Sequence, residues 1–309
     1  MIVIEDNFKH QFKNKTIIAL GGFDGLHLGH RALIDKAINI AKKQKCESMV
    51  LTFKNHPLTV INKELAPKLL MSNHDKLSLF KHYGLDIVNM VNFDRDFMKL
   101  SPEDFVEALV QKYNAAGLVV GFNHRFGYKN LGDTDLLKSM SKKLNFELHV
   151  VPPVKYKGEV VSSSKIRNLL IEEGDIEKAN KMLTRHYSFE GTVVVGKQLG
   201  RTLGFPTINL DYSSTIVLPR GGVYFTAVEH EGHKYKGITN IGYNPTVEDE
   251  KLSVETHIVD FNKELYDENI RLSFIKRIRD EKKFNSLTEL SEQLKKDKLF
   301  AIKQKLEII

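Results

Sequence analysis

Apolar residues follow two different rhythms along this chain. From Thr16 to about Val151, short apolar runs alternate with stretches whose apolar residues recur at helical spacing. The runs at 16–20, 48–53, 86–92, 117–121 and 146–151 predict strands. Helices are predicted between them, two with legible starts. Ser101-Pro102-Glu103-Asp104 supplies a cap, a first-turn proline and acidic residues at the positive helix end. Ser72 followed by Asp75 does the same before Leu77, Leu79 and Phe80. This βαβα order predicts an α/β domain with a doubly wound parallel sheet, helices on both sides, and ligands at the carboxyl ends of the strands.

After about Arg185 the rhythm changes. Strand-like runs at 189–195, 223–229, 234–241, 252–259 and 270–275 follow one another, with Gly232 and the Asn262-Lys263 region placed where hairpin turns fall. One amphipathic helix opens near Ser286 and runs through Leu287, Leu290 and Leu294. The pattern predicts a small antiparallel β-barrel with a C-terminal helix. Residues 164–183 read as two short helices broken at Gly174, so the chain divides into domains at 1–184 and 185–309.

Length agrees with this division, because 309 residues exceed one small core. Hydrophobic residues at 41% and charged residues at 28% describe an ordinary soluble protein. A single cysteine, Cys46, excludes an internal disulfide, and no apolar stretch reaches the ~20 residues of a membrane span. A cytoplasmic protein without a membrane partner is expected. The formal charge of +7 fits nucleic acid, an acidic surface or phosphorylated small molecules. Its lysines at 36–45 and 295–305 are interrupted by apolar residues at helical spacing, which reads as solvated helix faces and not as a nucleic-acid surface.

Gly21-Gly22-Phe23-Asp24-Gly25-Leu26-His27-Leu28-Gly29-His30 follows the first predicted strand and opens a helix. Glycines admit close backbone approach, and the first N–H groups and the dipole of a helix favour an anion, so the segment suits a nucleotide's phosphates. His27 and His30, three apart, can both face one phosphate. Three further segments fit the same pocket. Phe53-Lys54-Asn55-His56-Pro57 and Gly121-Phe122-Asn123-His124-Arg125-Phe126-Gly127 each follow a strand, and Ser162-Ser163-Ser164-Lys165-Ile166-Arg167 sets hydroxyls before an arginine. Singly, each has a plain reading as a cap, a turn or a structural histidine; their order makes coincidence a poor account.

The second half carries Gly191-Thr192-Val193-Val194-Val195-Gly196-Lys197-Gln198-Leu199-Gly200-Arg201-Thr202-Leu203-Gly204-Phe205-Pro206-Thr207-Ile208-Asn209. It lacks Walker A spacing and opens no long helix, so neither a P-loop nor a Rossmann reading holds. It reads as a strand, then a glycine-rich flap able to fold over a nucleotide through Gly196, Lys197, Gly204 and Pro206. Thr207 and Asn209, two apart on an extended segment, share a face on which both oxygens can meet one hard cation.

With these motifs in order, the chain resembles the bacterial bifunctional riboflavin kinase/FAD synthetase family across nearly its full length. The N-terminal half resembles the HxGH-type nucleotidyltransferases through His27-Leu28-Gly29-His30, and the FMN adenylyltransferase branch through Phe23-Asp24-Gly25, the 121–127 loop and the serine run. The resemblance implies that the FMN phosphate attacks the α-phosphorus of ATP and releases pyrophosphate. His27, His30 and Arg167 are then catalytic, and Gly21, Phe23, Asp24, Gly25, Ser162 and Ser163 meet ATP. Phe53, Asn55, Asn123 and Phe126 serve the flavin. Gly22 stands where relatives often carry a side-chain amide, and Ser164 where threonine is common.

The Pro206-Thr207-Ile208-Asn209 stretch, Asn240-Ile241-Gly242 with Pro245-Thr246, and Ser253-Val254-Glu255-Thr256-His257 resemble riboflavin kinases. The resemblance makes Glu255 the catalytic carboxylate that helps a ribityl hydroxyl attack the γ-phosphorus of ATP. It places Arg279 against the flavin, although an ion pair with Glu281 is an equal reading. Mg²⁺ is the implied cofactor, at Thr207 and Asn209, with ATP as co-substrate and no prosthetic group beyond the flavin substrate and product. The implied partners are riboflavin, FMN and ATP, with neither nucleic acid nor membrane, and with room for weak self-association. Two alternatives stand beside this reading. One has only the kinase half active. The other is a nucleic-acid binder using Tyr212, Tyr224 and Tyr235 on the barrel.

Overall fold

Thr16-Ile17-Ile18-Ala19-Leu20 offers no polar face to water, and the chain buries all five residues as one strand. A run of this kind belongs inside a parallel sheet covered on both faces. The computed structural model describes residues 1–196, 200, 203–243 and 252–306. Its contacts fall into two units, Met1–Pro67 with Ser72–Ser162, and Lys68–Met71 with Ser163–Ile309.

The first unit holds strands β1 (Ile2–Ile4), β2 (Thr16–Leu20), β3 (Glu47–Phe53), β4 (Ile87–Val91), β5 (Ala115–Gly121) and β6 (Glu147–Val151). They form one parallel sheet in the order β1-β4-β3-β2-β5-β6. The chain steps from β2 through β3 to β4 in one direction, then returns to place β5 and β6 on the other side of β2. The reversal opens a crevice between the carboxyl ends of β2 and β5, the place where open α/β sheets bind ligands. Both helix starts read from sequence are present: the Ser72 hydroxyl accepts from the Asp75 N–H and the Ser101 hydroxyl from the Asp104 N–H, each at 3.0 Å. A short hairpin, β7 (Lys155–Tyr156) and β8 (Glu159–Val160), leads to Ser162.

Edge strand β1 was not expected from the pattern. Three residues carry no period, and a buried polar network fixes their place. The Tyr113 hydroxyl donates to Asp6 at 2.8 Å, the Asn89 amide donates to Tyr113 at 2.9 Å, and the Asp6 N–H donates to Asn89 at 3.0 Å. Burial pushes the Asp6 carboxyl up, but its bonds from His10, Tyr113 and Lys9 outweigh burial and hold it below the usual range.

In the second unit β9 (Tyr187–Val194), β10 (Ile208–Tyr212), β11 (Gly222–His230), β12 (His233–Tyr243), β13 (Leu252–Ile258) and β14 (Asn269–Arg279) close an antiparallel barrel, ordered β10-β13-β12-β11-β14-β9. Glu231 and Gly232, at φ 48° and 76°, make the two-residue turn expected between β11 and β12. The Asn262-Lys263 region makes no hairpin. β13 pairs with β10 and β12, and β14 with β11 and β9, so the connection crosses to a non-adjacent strand. β10, read from sequence only as an extended segment, is the strand that closes the barrel. Residues 164–183 are helical as expected, with Ser163–Asn168 running into a π turn at Leu169–Glu173, then a break at Gly174 (φ 68°) before Ile176–Leu183.

The C-terminal helix Leu287–Lys303 starts at Ser286, whose hydroxyl accepts from the Glu289 N–H at 3.1 Å. It covers one barrel face through a core of Val223, Phe225, Ile238, Val259 and Ala301. The opposite face is lined by a chain of three fully buried hydroxyls, Thr226, Thr239 and Thr256, with successive oxygens 2.9 Å apart. Inward and outward residues alternate along these strands, with irregularities where β11 pairs with β14 at Val223/Tyr224 and Phe225/Thr226.

Candidate active sites

The glycine turn leaves β2 at its carboxyl end, and Phe23, Gly25 and Leu26 all take positive φ, at 49°, 84° and 40°. Phe23 and Leu26 are fully buried, with the Phe23 ring 5.7 Å from Phe80 and 5.1 Å from His30. Two buried anchors thus hold the turn from below. The helix Leu28–Gln44 begins directly after. His27 is its N-cap, and its Nδ1 accepts from the His30 N–H at 3.3 Å. An Nδ1 that accepts leaves the imidazole proton on Nε2. The His27 and His30 rings stack with centroids 3.7 Å apart and planes within 14°. Gly29 permits this: a Cβ there would stand 3.1 Å from the His27 ring and 3.6 Å from the Val161 carbonyl oxygen. The segment bearing Ser162 therefore passes beside the helix start.

Lys76 escaped the sequence reading. It sits on the helix Asn73–Tyr83 at 6% exposure, and its ammonium donates to the main-chain oxygens of Gly22 at 3.3 Å and Phe53 at 3.4 Å. Burial lowers its pKa, and the Asp24 carboxylate pulls the other way. The Gly22 oxygen also accepts from the Thr52 hydroxyl at 2.9 Å. The carboxyl ends of β2 and β3 are thus tied together by a buried cation, which no local pattern around Lys76 announces.

Two residues expected at the flavin are engaged within the first unit. Phe126 is 7% exposed at the edge of the hydrophobic core, 5.6 Å from Phe105 and 5.6 Å from the His124 ring. The Asn55 amide is committed at both ends to the Phe93 main chain, donating and accepting at 2.9 Å. It is a clamp at the end of β3. Phe53 is half-buried against Phe93 and Phe97, and Asn123 is exposed on the loop after β5. Beside it, the buried Nε2 of His124 has no hydrogen-bond partner among the described residues, and burial lowers that pKa to about 4. Ser163 and Arg167 lie on the helix Ser163–Asn168 of the second unit, where Arg167 Nε donates to the Lys68 carbonyl at 2.7 Å.

In the barrel the candidate polar groups are brought together by register. Glu255 on β13 stands opposite Asn209 on β10 and opposite Asn240 on β12. Directly opposed residues share a face, so the three polar side chains form one row across three strands. Thr207 precedes Asn209 by two residues and continues that face. Gly196 gives Asn209 its room, since a Cβ at Gly196 would collide with the Asn209 amide. Gly204 takes φ 78° in the flap turn, and Lys197, Pro245 and Thr246 lie outside the described residues.

Glu255 and Asn240 of this row line a cavity of about 470 Å³ together with Thr207 and Arg279, with an apolar wall that includes Phe205, Ile238, Phe284, Leu290 and Leu294. A second cavity of about 280 Å³, lined by Pro206, Ile258, Phe261 and Tyr266, also reaches Thr207. Arg279 does not pair with Glu281. Its guanidinium forks onto Asp297 of the C-terminal helix, Nη2 donating to Oδ2 at 2.8 Å and Nε at 3.1 Å, and Asp297 is 2% exposed. His257, also on the cavity wall, donates from Nδ1 to the Pro206 carbonyl at 2.8 Å, and burial lowers its pKa. Neither Asp297 nor His257 was singled out from sequence, since only the pairing of distant segments brings them to the cavity. Tyr212 and Tyr224 are interior residues and offer no stacking surface to a nucleic acid.

Comparison with known proteins finds two family models in tandem along the chain. Residues 9–165 match the family model for FAD synthetase, and residues 183–304 match the one for riboflavin kinase. A bifunctional riboflavin kinase/FMN adenylyltransferase of Bacillus subtilis is 37% identical over 295 residues, covering 94% of this chain and 92% of the relative. Its counterpart in Escherichia coli K12 is 34% identical over 287 residues, covering 92% and 91%. A solved structure from Streptococcus pneumoniae, named as a macrolide-efflux protein, superposes with a TM-score of 0.89 at 29% identity over 98% of this chain and 99% of that one. No helix among the described residues is long and apolar enough to cross a membrane. With both family models matched in order and such relatives aligned nearly end to end, the chain belongs to the bifunctional riboflavin kinase/FMN adenylyltransferase family.

Proposed function

We propose that residues 1–184 carry adenylyl transfer and residues 185–309 carry riboflavin phosphorylation, each with its own ATP site. In the first, an FMN phosphate oxygen bonds to the α-phosphorus of ATP while the bond to the bridging oxygen breaks and pyrophosphate leaves. The nucleophile is already an anion, so the protein's task is to bring polyanions together and stabilise charge on the transferred group. His27, through Nε2–H, and His30 donate to that group. The N–H groups of the turn and of the helix start meet the phosphates, and Ser162 adds a hydroxyl. Arg167 and Ser163 are proposed as phosphate ligands on their motif alone, and Asn123 as the polar contact for the flavin.

In the barrel, the larger cavity takes riboflavin and the smaller takes the nucleotide end of ATP, with Thr207 at their junction. Glu255 removes the proton from the terminal ribityl hydroxyl as its oxygen bonds to the γ-phosphorus and ADP leaves. The Thr207 hydroxyl and the Asn209 amide oxygen are hard neutral donors on one face beside a carboxylate, a set that suits Mg²⁺ completed by phosphate oxygens. When bound, the ion neutralises the β- and γ-phosphates. The observation that carries this reading is the row Asn209–Glu255–Asn240 at the cavity edge. Thr207→Ala tests it: the KM for Mg·ATP in FMN formation is expected to rise about tenfold with the riboflavin KM unchanged, since one direct ligand is lost. An unaltered KM for Mg·ATP would remove Thr207 from the metal site.

A further inference from the structure

His257 lies on β13 two residues after Glu255, hence on the same face and about 7 Å further along the strand. It is 7% exposed and borders the larger cavity. Its Nδ1 faces a carbonyl oxygen, that of Pro206, which can only accept, so Nδ1 carries the proton and Nε2 presents a lone pair. That Nε2 is buried and has no hydrogen-bond partner among the described residues. A buried acceptor left unmade is costly, and such a group at a cavity wall points to a ligand that donates.

Riboflavin offers two kinds of donor: the secondary hydroxyls of the ribityl chain and the imide N–H at the far edge of the ring system. With the terminal hydroxyl held at Glu255, a group about 7 Å away along the strand is within reach of the polyol chain and short of the far ring edge. We propose that His257 Nε2 accepts a hydrogen bond from a secondary ribityl hydroxyl, making His257 a specificity-determining residue for the kinase. The inference rests on the assignment of the larger cavity to riboflavin. The fixed tautomer supplies the selectivity, because Nε2 accepts from a hydroxyl and repels a carbonyl. The bond to Pro206 has a second consequence: the same ring steadies the residue that precedes Thr207, so polyol recognition and metal-site geometry meet in one side chain.

Two substitutions separate these functions. His257→Asn places an amide near the Nδ1 position and keeps a donor for Pro206 while removing the Nε2 acceptor. His257→Gln places an amide oxygen near the Nε2 position and gives up the Pro206 contact. Measured on the full-length protein with riboflavin and its 2′-, 3′- and 4′-deoxy analogues, the native kinase should lose about 3- to 10-fold in kcat/KM on one analogue, the range of one hydrogen bond. His257→Asn should show riboflavin already reduced by that factor and no further loss on that analogue. His257→Gln should keep the discrimination and instead raise the KM for Mg·ATP. Equal discrimination in native protein and His257→Asn would overturn the proposal. Leu294→Trp, which narrows the cavity, distinguishes the underlying assignment: an unchanged riboflavin KM in that variant would overturn both, whereas a raised KM with undiminished discrimination in His257→Asn overturns the His257 contact alone.

Discussion

The adenylyltransferase unit places its reacting groups at the end of one strand and the first turn of one helix, whereas the barrel gathers Thr207, Asn209, Asn240, Glu255 and Arg279 from four strands and their flanks. In the sheet unit the proposed phosphate site is drawn largely from main chain, so a glycine turn and a capped helix supply it and ten consecutive residues contain its core. In the barrel the side chains do it, and their convergence depends on register: slipping β13 by one residue would turn Glu255 to the threonine-lined interior. A site written in consecutive residues tolerates change elsewhere in its domain. A site written across strands depends on every pairing that closes the barrel.

The sharpest test of this contrast is a reciprocal pair. Glu255→Gln should reduce FMN formation from riboflavin by at least ~10²-fold, the range for a general base, and leave conversion of added FMN to FAD unchanged. His30→Ala should do the reverse, with a loss of about 10²-fold in FAD formation. Chromatography of the products reads both, and loss of both reactions in either folded variant would end the two-site scheme.

Next in size is Asp297→Ala. It leaves Arg279 at the cavity without its buried partner, so the barrel should lose about 3 kcal/mol in denaturant titration and the riboflavin KM should rise, with adenylyl transfer intact. An undiminished barrel would show that the helix does not brace the site. Lys76→Met removes the cation joining the Gly22 and Phe53 carbonyls, and FAD formation should fall about tenfold with FMN formation unaltered, as expected for losing hydrogen bonds from a charged donor. Equal losses in both reactions would point to general destabilisation instead.

The smallest effect is a pH dependence confined to the sheet unit. Burial holds the His124 pKa at about 4 against an ordinary value of 6.5, so the unfolded chain takes up this proton first. The neutral ring's stability is complete above pH 6.5 and is lost progressively as pH falls toward 4. His124→Phe should flatten the decline in stability between pH 7 and pH 5. An identical slope in the variant would show that His124 is not the responsible group.

Much of this is legible in the sequence. The strand alternation, the serine caps at 72, 101 and 286 and the Gly232 turn each rest on neighbours within a few residues, where local sterics and hydrogen bonding decide the outcome. Phe126 and Asn55 show what such short spans leave out. Their types and positions after strands suit a ligand, and their contacts with the Phe105 ring and the Phe93 main chain come from segments distant in sequence. β1 and β10 were missed because three residues, or five after a flap, carry too little period to outweigh partners that only pairing supplies.

By itself, then, the sequence determined the two layer architectures, the order of the catalytic motifs and the histidine-bearing helix start, because period, capping and turn chemistry act over short spans of chain. Only the tertiary structure decided that Arg279 answers Asp297, that Lys76 underlies the glycine turn, and that His257 shares a cavity with Glu255. Those contacts join segments far apart in sequence, and burial gives each its consequence by removing the water that would otherwise satisfy a charge or a lone pair.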